Sequence, residues 1–459
     1  MSLKKLSKWW IFLVTTSGTS LVFLDTTVIP VALPSIQKDL LFDPLGLVWV
    51  VNAYLLSLTA LLLVGGRLCD LFGKRSLFIW GLSIFGVGSL MGATAYTQGW
   101  LLIARIVQGV GGALTIPTTS ALLISTFPEG ERARAIGINT GISGIFLVLG
   151  PALGGFLTEY ISWRSIFLMN IPIVLFGIIM AGRMLKPGER KQESFHFMGT
   201  FTMFVAVVSL VMGLMQANSW GWTSPFTVVS LLISPLFFGL FVWLSLRENH
   251  PIIDFHFFQN RLFTVANLSM FITQIIVMVT VLWAIYFQEQ LGYSPSETGL
   301  LIFVAAFPIF LMAPLGGYFA DRCGPRLPLL LGFIILVFAL FWLLFTAHSR
   351  QILILLPGLL GFGVSLPLIM SPTVALALSQ VDPEKLGAAA GISTATRQIA
   401  STIGIALMTA LYLGTVKASK SHVEAFSAIS MLAGILAFIG FWVVFLMIKK
   451  ITPAHSPEP

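Results

Sequence analysis

The sequence predicts an all-α integral membrane protein with fourteen transmembrane helices, arranged as two six-helix bundles plus an inserted two-helix hairpin. Three observations predict this fold class. The chain is 57% hydrophobic and only 10% charged, with a mean hydropathy of +0.94, whereas a soluble domain is about half apolar and about a quarter charged. The second observation is a series of long apolar runs, and the third is an internal repeat.

The apolar runs are long enough to cross a bilayer, since an α-helical span needs about 20 mostly apolar residues for a ~30 Å hydrocarbon core. The runs are continuous and do not alternate with period 2, which excludes a transmembrane β-barrel. Fourteen such runs are present, near residues 9–33, 46–65, 76–95, 99–122, 136–158, 164–184, 197–216, 225–245, 262–287, 298–318, 327–346, 351–372, 388–412 and 427–449.

The net charge of +8 reflects membrane topology and does not indicate a nucleic-acid partner. If the N-terminus is cytoplasmic, nineteen of the 26 Lys and Arg residues fall in the loops on that side. This asymmetry follows the positive-inside rule. It predicts a multi-pass protein of the cell inner (plasma) membrane with both termini in the cytoplasm. Only two cysteines are present, so no disulfide framework is expected.

An internal repeat divides the chain into halves. Residues 65–75 read GGRLCDLFGKR, and residues 316–326 read GGYFADRCGPR, at an offset of 251. The two copies follow the second and the tenth predicted span, so both lie on the same membrane face and the halves are parallel repeats. We therefore expect an N-terminal bundle over 1–190, a linker and inserted helix pair over 191–250, and a C-terminal bundle over 251–459.

Asp25 is the single charged residue in the first span, where an Asp costs roughly 2.5–3.5 kcal/mol on insertion scales. At 1.5 Å per residue, Asp25 lies about 22 Å from the cytoplasmic end of its helix, which is roughly 8 Å short of the outer face of a ~30 Å core. Arg105 lies about 8 Å inward from the outer end of the fourth helix. The two charges therefore share a level. Burial favours the acid and a guanidinium favours the carboxylate, so this group can exchange a proton. A static structural pair is the alternative.

The fourth span carries polar and small residues at spacings of three or four, which places them on one helical face. This face either lines a transport path or forms a close helix–helix seam, because small residues let backbones approach in membranes. Its members are Arg105, Gln108, Gly112, Thr115 and Thr119.

Five segments in order resemble motifs of the major facilitator superfamily and of its 14-span drug:proton antiporter branch. One departure is Pro30, which stands where that branch usually has Asn. The segments are LDTTVIPVALP (24–34), GGRLCDLFGKR (65–75), LLIARIVQGVGGALTIP (101–117), GISGIFLVLGPALGGFL (141–157) and TATRQIASTIG (394–404).

The resemblance implies roles for several groups of residues. Asp25, Arg105 and Gln108 would couple transport to protons. The repeated turn would be a cytoplasmic gate, with a topogenic basic loop as the alternative; its residues are Gly66, Asp70, Gly73, Arg75, Asp321 and Arg326. The motif of the fifth span would be an antiporter hinge, with simple close packing as the alternative; its residues are Gly150, Pro151, Gly154 and Gly155.

Further polar residues lie within the C-terminal spans. Arg397 is about 13 Å deep in the thirteenth span beside Gln398, and it serves either a substrate cavity or gate or a structural pairing. Gln274 and Asn267 on the ninth span are expected to face the same substrate cavity. No His, Cys or carboxylate cluster has metal or nucleophile spacing, and no nucleotide-binding motif is present. We therefore expect no enzymatic activity, cofactor or metal.

These features together predict a secondary active transporter that exports small amphipathic compounds or drugs in exchange for protons by alternating access. The alternative is a proton-coupled or passive importer of a small organic nutrient on the same fold. The expected partners are the small-molecule substrate, protons and the lipid bilayer, with no nucleic acid, and the expected state is a monomer.

Overall fold

The computed structural model describes residues 3–185, 197–248, 253, 255–349, 351–379, 381 and 386–448. These residues form α-helices and one 3-10 helix, Phe255–Gln259. The α-helices are α1 (Leu3–Leu40), α2 (Pro44–Phe72), α3 (Lys74–Ala93), α4 (Gln98–Thr126), α5 (Glu129–Tyr160), α6 (Ser165–Leu168), α7 (Asn170–Met184), α8 (Phe197–Trp220), α9 (Pro225–Arg247), α10 (Arg261–Val277), α11 (Val279–Glu289), α12 (Pro295–Cys323), α13 (Arg326–Thr346), α14 (Ile352–Ser379), α15 (Leu386–Ser419) and α16 (His422–Met447).

The prediction of fourteen membrane spans is confirmed, because fourteen stretches within the described residues are helical, long and apolar enough to cross a bilayer. Two of the spans are each divided by a single residue. Met169 separates α6 from α7, and Met278 separates α10 from α11. The helices also run beyond the predicted apolar ranges. α1 continues through Pro30 and Pro34 and ends at Leu40, seven residues after the predicted end of the first run.

Side-chain caps begin several of the helices. The Thr97 hydroxyl accepts the backbone N–H of Trp100 at the start of α4. Asn260 accepts two backbone N–H groups at the start of α10, and Ser421 accepts one at the start of α16. Each cap satisfies donors that the first helical turn leaves without an intrahelical partner.

The chain divides into two compact units. Unit 1 consists of Met1–Gly213, Thr223–Leu244 and Gly292–Leu300, and unit 2 consists of Leu214–Trp222, Ser245–Leu291 and Leu301–Pro459. Within unit 1, α4 packs against α1, α2 and α3, while α7 packs against α1 and α3, and α1 packs along α5. α1 and α4 are therefore neighbours, so the two charges predicted to lie at one depth can meet.

Unit 2 repeats this arrangement with its own helices. α13 packs against α14 and α16, while α10 packs against α14, α15 and α16. Each of these pairs has a counterpart in unit 1 when α10, α13, α14, α15 and α16 are matched to α1, α3, α4, α5 and α7. The helix packing therefore carries the same repeat that the two glycine-rich segments show in the sequence.

The repeated segments have the same backbone geometry in both units. A Cβ atom on Gly65 would lie under 3.0 Å from the carbonyl oxygen of Ala113, and one on Gly316 would lie equally close to the carbonyl oxygen of Pro367. Real Cβ atoms do not approach so closely. Glycine is therefore needed where α2 crosses α4 and where α12 crosses α14.

The turns that follow these helices match as well. Gly73 has a φ of 83° between α2 and α3, and Gly324 has a φ of 75° between α12 and α13. Residues with a Cβ atom rarely adopt a positive φ. The two glycines therefore let the chain reverse between successive spans in both units.

Candidate functional site

The predicted pair of intramembrane charges meets in the interior of unit 1. Nη1 of Arg105 on α4 lies 2.6 Å from Oδ2 of Asp25 on α1. Both side chains are buried, with exposed fractions of 1% and 0%. Depth counting along two antiparallel helices correctly placed them at one level. A buried ion pair of this kind is stable only when further hydrogen bonds satisfy both partners.

The Arg105 guanidinium has three further contacts. Its Nε donates to the carbonyl oxygen of Val50 on α2 at 2.9 Å, and its Nη1 also donates to Oε1 of Gln108 at 2.7 Å. The guanidinium carbon lies 4.4 Å from the centroid of the Tyr54 ring, which is within the range of a cation–π interaction. The charge is therefore held by groups on α1, α2 and α4.

The second carboxylate oxygen is held by two side-chain amides. Nε2 of Gln108 and Nδ2 of Asn170 each donate to Oδ1 of Asp25 at 3.2 Å. Both amides also reach the hydroxyl oxygen of Ser89 on α3, at 2.9 Å from Gln108 and 3.4 Å from Asn170. All four side chains are buried. The network therefore joins α1, α3, α4 and α7.

Asn170, Ser89 and Tyr54 were not among the predicted site residues. They are neutral, so a search for intramembrane charges does not find them. The available signal was weak, since Asn170 is an amide at the seventh position of the predicted span 164–184, close to the Arg164 and Ser165 that begin it. Tyr54 and Ser89 resemble many other polar residues in membrane helices.

The small residues on α4 form a close seam with neighbouring helices. A Cβ atom on Gly109 would lie 2.5 Å from the carbonyl oxygen of Tyr54 on α2, and one on Gly111 would lie 2.5 Å from the backbone nitrogen of Phe85 on α3. Thr115 and Thr119 are buried and bond to backbone carbonyl oxygens. Gly109 and Gly111 are not members of the predicted polar face. A Cβ atom on Gly112, which is a member, would lie 3.1 Å from the Leu58 side chain on α2, and the lining of a transport path by this face stays a prediction.

The predicted gate residues are placed with different completeness. The side chains of Asp70 and Asp321 lie outside the described part of the structure. A Cβ atom on Gly66 would meet nothing within 4 Å. The glycine that the α2–α4 crossing requires is therefore Gly65 and not Gly66. Arg75 donates to the carbonyl oxygen of Gly182 near the end of α7 at 2.6 Å.

The second copy of the gate motif makes the matching contact. Nη2 of Arg326 donates to the carbonyl oxygen of Phe445 near the end of α16 at 3.3 Å. Its guanidinium carbon also lies 5.5 Å from the centroid of the Phe445 ring. In each unit an Arg at the start of one helix, α3 or α13, therefore binds a carbonyl near the end of another, α7 or α16.

The predicted hinge residues pack closely against other parts of unit 1. Cβ atoms on Gly150 and Gly154 would clash with α1, at Thr27 and Val28, and one on Gly155 would clash with the backbone of Pro295. The carbonyl oxygen of Pro151 lies close to the position that a Cβ atom on Gly299 would take. Beyond the motif on the same helix, Oε2 of Glu159 accepts the N–H of Ser296 at 2.9 Å. The motif is a packing surface for α1 and residues 292–300.

The predicted cavity residues of unit 2 lie on two of its helices. Asn267 and Gln274 on α10 are buried, with exposed fractions of 2% and 8%. Nδ2 of Asn267 donates to the carbonyl oxygen of Phe263 on the same helix at 3.0 Å. Arg397 and Gln398 lie side by side on α15, and both are partly buried.

The described residues contain no group of three or more His, Cys, Asp or Glu side chains that could hold a metal ion. What the site of unit 1 does contain is one carboxylate, one guanidinium, two amides and hydroxyl groups in mutual contact. The arrangement can hold one negative charge at Asp25 in contact with a guanidinium and two amide donors.

Comparison with known proteins gives a match over most of the chain. The model of the Major Facilitator Superfamily matches residues 15–246 and 262–459. The multidrug resistance protein Stp of Mycobacterium tuberculosis is 34% identical over 420 residues, covering 89% of this chain and 76% of that protein. The tetracenomycin C resistance and export protein of Streptomyces glaucescens is 30% identical over 418 residues, covering 90% of this chain and 76% of that protein.

The fold also matches a solved structure. The crystal structure of a D-xylose–proton symporter superimposes with a TM-score of 0.70 at 14% sequence identity, covering 96% of this chain and 98% of the symporter. At this identity the likeness concerns the fold.

Proposed function

The chain belongs to the Major Facilitator Superfamily and to its drug-efflux branch, and on that premise we propose that it exports small amphipathic compounds in exchange for protons by alternating access. The observation that carries the proton coupling is the buried carboxyl group of Asp25, which lies among a guanidinium and two amides. An ionisable group inside a membrane bundle is expensive and is usually functional. The relatives of this chain that are named for drug resistance and export support the proposed outward direction of transport and the proposed class of substrate.

The proposed cycle uses protonation to release Arg105. In the ionised state the Asp25 carboxylate holds the guanidinium through the 2.6 Å contact between Oδ2 and Nη1. A proton from outside adds to the carboxylate and forms one O–H bond, which removes the negative charge and weakens that contact. When the group faces the cytoplasm, the O–H bond breaks and the proton leaves. The freed Arg105 side chain on α4 can then change its contacts, and this change alters the packing of α1 against α4.

The driving force is sufficient for export. One charge moving down 100 mV of membrane potential releases about 2.3 kcal/mol, and one pH unit adds about 1.4 kcal/mol. Together these are about 3.7 kcal/mol, so a single proton per cycle can sustain a concentration ratio of up to about a few hundredfold for an uncharged compound, since about 1.4 kcal/mol corresponds to a factor of ten.

Direction is tested in membrane vesicles. Ethidium and puromycin serve as probes in everted and right-side-out vesicles with an imposed pH gradient. Export predicts that everted vesicles with an acidic interior accumulate the probe and that right-side-out vesicles do not. Accumulation in right-side-out vesicles would favour the importer instead.

The coupling role of Asp25 predicts the behaviour of Asp25→Asn. Because the amide cannot take up and release a proton, we expect probe accumulation driven by a pH gradient to fall at least tenfold. Binding of the probe should persist. The measurement compares accumulation in proteoliposomes with and without the gradient, using Asn139→Leu as a control because Asn139 is another buried amide of unit 1. Accumulation equal to that of the parent would refute the coupling role.

Further roles belong to the same proposal. We propose that Gly66, Asp70, Gly73, Arg75, Asp321 and Arg326 form the cytoplasmic gate, and that Gly150, Pro151, Gly154 and Gly155 form the hinge. Asn267, Gln274, Arg397 and Gln398 would line the substrate cavity. Residues 191–250 would be the insertion between two six-helix bundles. The protein would act as a monomer in the plasma membrane with both termini in the cytoplasm, and would have neither catalytic activity nor a nucleic-acid partner.

A further inference from the structure

Asn170 contacts the same carboxyl group from α7, a helix that supplied none of the site residues predicted from the sequence. It is the first residue of α7, it is fully buried, and its Nδ2 lies 3.2 Å from Oδ1 of Asp25. We propose that Asn170 is a positioning residue that stabilises the ionised form of Asp25 and thereby sets the pH at which this group exchanges its proton. The inference rests on the proposed coupling role of Asp25.

The placement of Asn170 is fixed by its surroundings. α6 ends at Leu168, and Met169 alone separates it from α7. Phe167 of α6 packs on α3, where its ring occupies the place that a Cβ atom on Gly92 would need. The guanidinium carbon of Arg105 lies 6.0 Å from the centroid of the same ring. The interruption between the two helices therefore holds the amide at the level of the charge pair.

The ionisable groups around Asp25 are few, which makes a neutral donor important. Among the described residues, the neighbouring helices supply Arg105 from α4 and Tyr54 from α2, and the contacts from α3 and α7 come from the neutral Ser89 and Asn170. The charged residues of those two helices, Lys74, Arg75 and Arg183, lie at their opposite ends. The ionisable residues of α5 lie in its first six residues and at its last two. A carboxylate accepts hydrogen bonds only, so the Asn170 amide favours the charged form without adding a charge.

The other atom of this amide provides for the protonated state. Oδ1 of Asn170 is buried and accepts no hydrogen bond from any described residue. A protonated carboxyl group has one O–H to donate, and a half-turn of the amide brings Oδ1 to the position of Nδ2. Hydrogen bonds to an ionised group are roughly twice as strong as those between neutral groups. The net effect of Asn170 therefore favours the carboxylate.

The test follows protonation of Asp25 directly and requires no substrate. N,N′-dicyclohexylcarbodiimide reacts with protonated carboxyl groups in apolar surroundings, and mass spectrometry quantifies its adduct on Asp25 in the purified full chain across pH. For Asn170→Leu we expect the midpoint of labelling to rise by about one pH unit, a tenfold change in proton affinity. Asn139→Leu is the matched control, since Asn139 is also a buried amide whose Oδ1 has no partner among the described residues, and its midpoint should equal that of the parent.

Each outcome bears on the inference. A midpoint for Asn170→Leu that equals the parent's, or that falls, overturns it. If Asn170→Leu does not accumulate in the membrane, Asn170→Ala replaces it, because Ala also removes the amide and adds no bulk; the same upward shift is required. The two roles can fail separately. If the labelling midpoint shifts in Asn170→Leu but Asp25→Asn transports as well as the parent, the positioning role of Asn170 is retained and the coupling role of Asp25 is refuted.

Discussion

The repeated turns of the two units are alike, and the interiors that they enclose are not. Gly65 and Gly316 lie at matching helix crossings, and Gly73 and Gly324 both have a positive φ. The interior of unit 1, by contrast, contains a buried carboxylate paired with a guanidinium. The corresponding helix of unit 2, α10, has neutral buried polar residues such as Asn267 and Thr273.

The difference separates what the fold requires from what one half adds to it. Glycines that permit close crossing and sharp turns recur in both units, because both halves must reverse the chain and pack the same pairs of helices. The charge pair occurs on α1 and α4 without a counterpart on α10, so helix packing does not require it. A costly feature that the fold does not need is best explained by function.

The largest expected loss of stability follows from removing Arg105, the charged partner of Asp25 in unit 1. For Arg105→Ala we expect a fall in the free energy of unfolding of about 3–5 kcal/mol, because it leaves the buried Asp25 carboxylate without its charged partner. The measurement is the midpoint of thermal unfolding in detergent, reported by a thiol-reactive fluorophore on the buried Cys69, with the exposed Cys323 replaced by Ser.

The matched variant in unit 2 is Asn267→Leu. It removes a buried amide whose one described hydrogen bond, to Phe263, stays within its own helix. We expect a change of about 1 kcal/mol or less, since a net hydrogen bond contributes about that much. Equal losses from Arg105→Ala and Asn267→Leu would break the contrast between the two interiors.

The next effect concerns the crossings that the units share. Gly65→Ala and Gly316→Ala each force a methyl group against a backbone carbonyl oxygen of the crossing helix. We expect each to lower stability by about 1–3 kcal/mol through overpacking. Gly66→Ala is the control on the same helix, because its methyl group would meet nothing within 4 Å, and it should leave the same unfolding midpoint unchanged. A large effect at one crossing alone would show that the repeat is not mechanically equivalent.

The smallest expected effect compares the two arginines of the repeated turns. Arg75 donates at 2.6 Å to a partly buried carbonyl oxygen, whereas Arg326 donates at 3.3 Å to an exposed one. Both donors are charged guanidinium groups, but a longer hydrogen bond is weaker, and surrounding solvent reduces the net contribution of an exposed charged contact. Arg75→Ala should therefore lower the unfolding midpoint further than Arg326→Ala. The reverse order would show that solvent exposure does not weaken the second contact.

Much of the fold is predictable because hydrophobic length alone determines a membrane span. All fourteen spans follow from runs of about 20 apolar residues. The helix ends do not follow in the same way, since hydropathy marks the hydrocarbon and a helix can continue beyond it. α1 extends to Leu40 through a polar stretch that contains Lys38 and Asp39. The interruption at Met169 has a local signal, since Pro172 has no N–H to donate to the carbonyl oxygen of Leu168, whereas Met278 has no glycine or proline within three residues.

The charge pair was predictable because two charges in apolar helices can be placed by counting along each helix. Its neutral partners required the packing. Asn170 lies 145 residues from Asp25 in the sequence, and no periodicity links them. Whether Gly65 or Gly66 lies at the crossing with α4 depends on the rotation of α2 about its axis, which the amino-acid sequence of this segment does not specify. Neutral groups and helix rotation are therefore the information that the three-dimensional arrangement adds.

The two prolines within α1 have a consequence for hydrogen bonding. A proline has no N–H, so the helical ladder cannot supply a donor to the carbonyl four residues earlier. Pro30 and Pro34 leave the carbonyl oxygens of Thr26 and Pro30 without that donor. In membrane helices such oxygens are satisfied by neighbouring helices, by Ser or Thr side chains or by ordered water. The first of them belongs to the residue immediately after Asp25, so α1 has, beside and beyond the buried acid, two carbonyl oxygens that only groups outside its own helical ladder can satisfy.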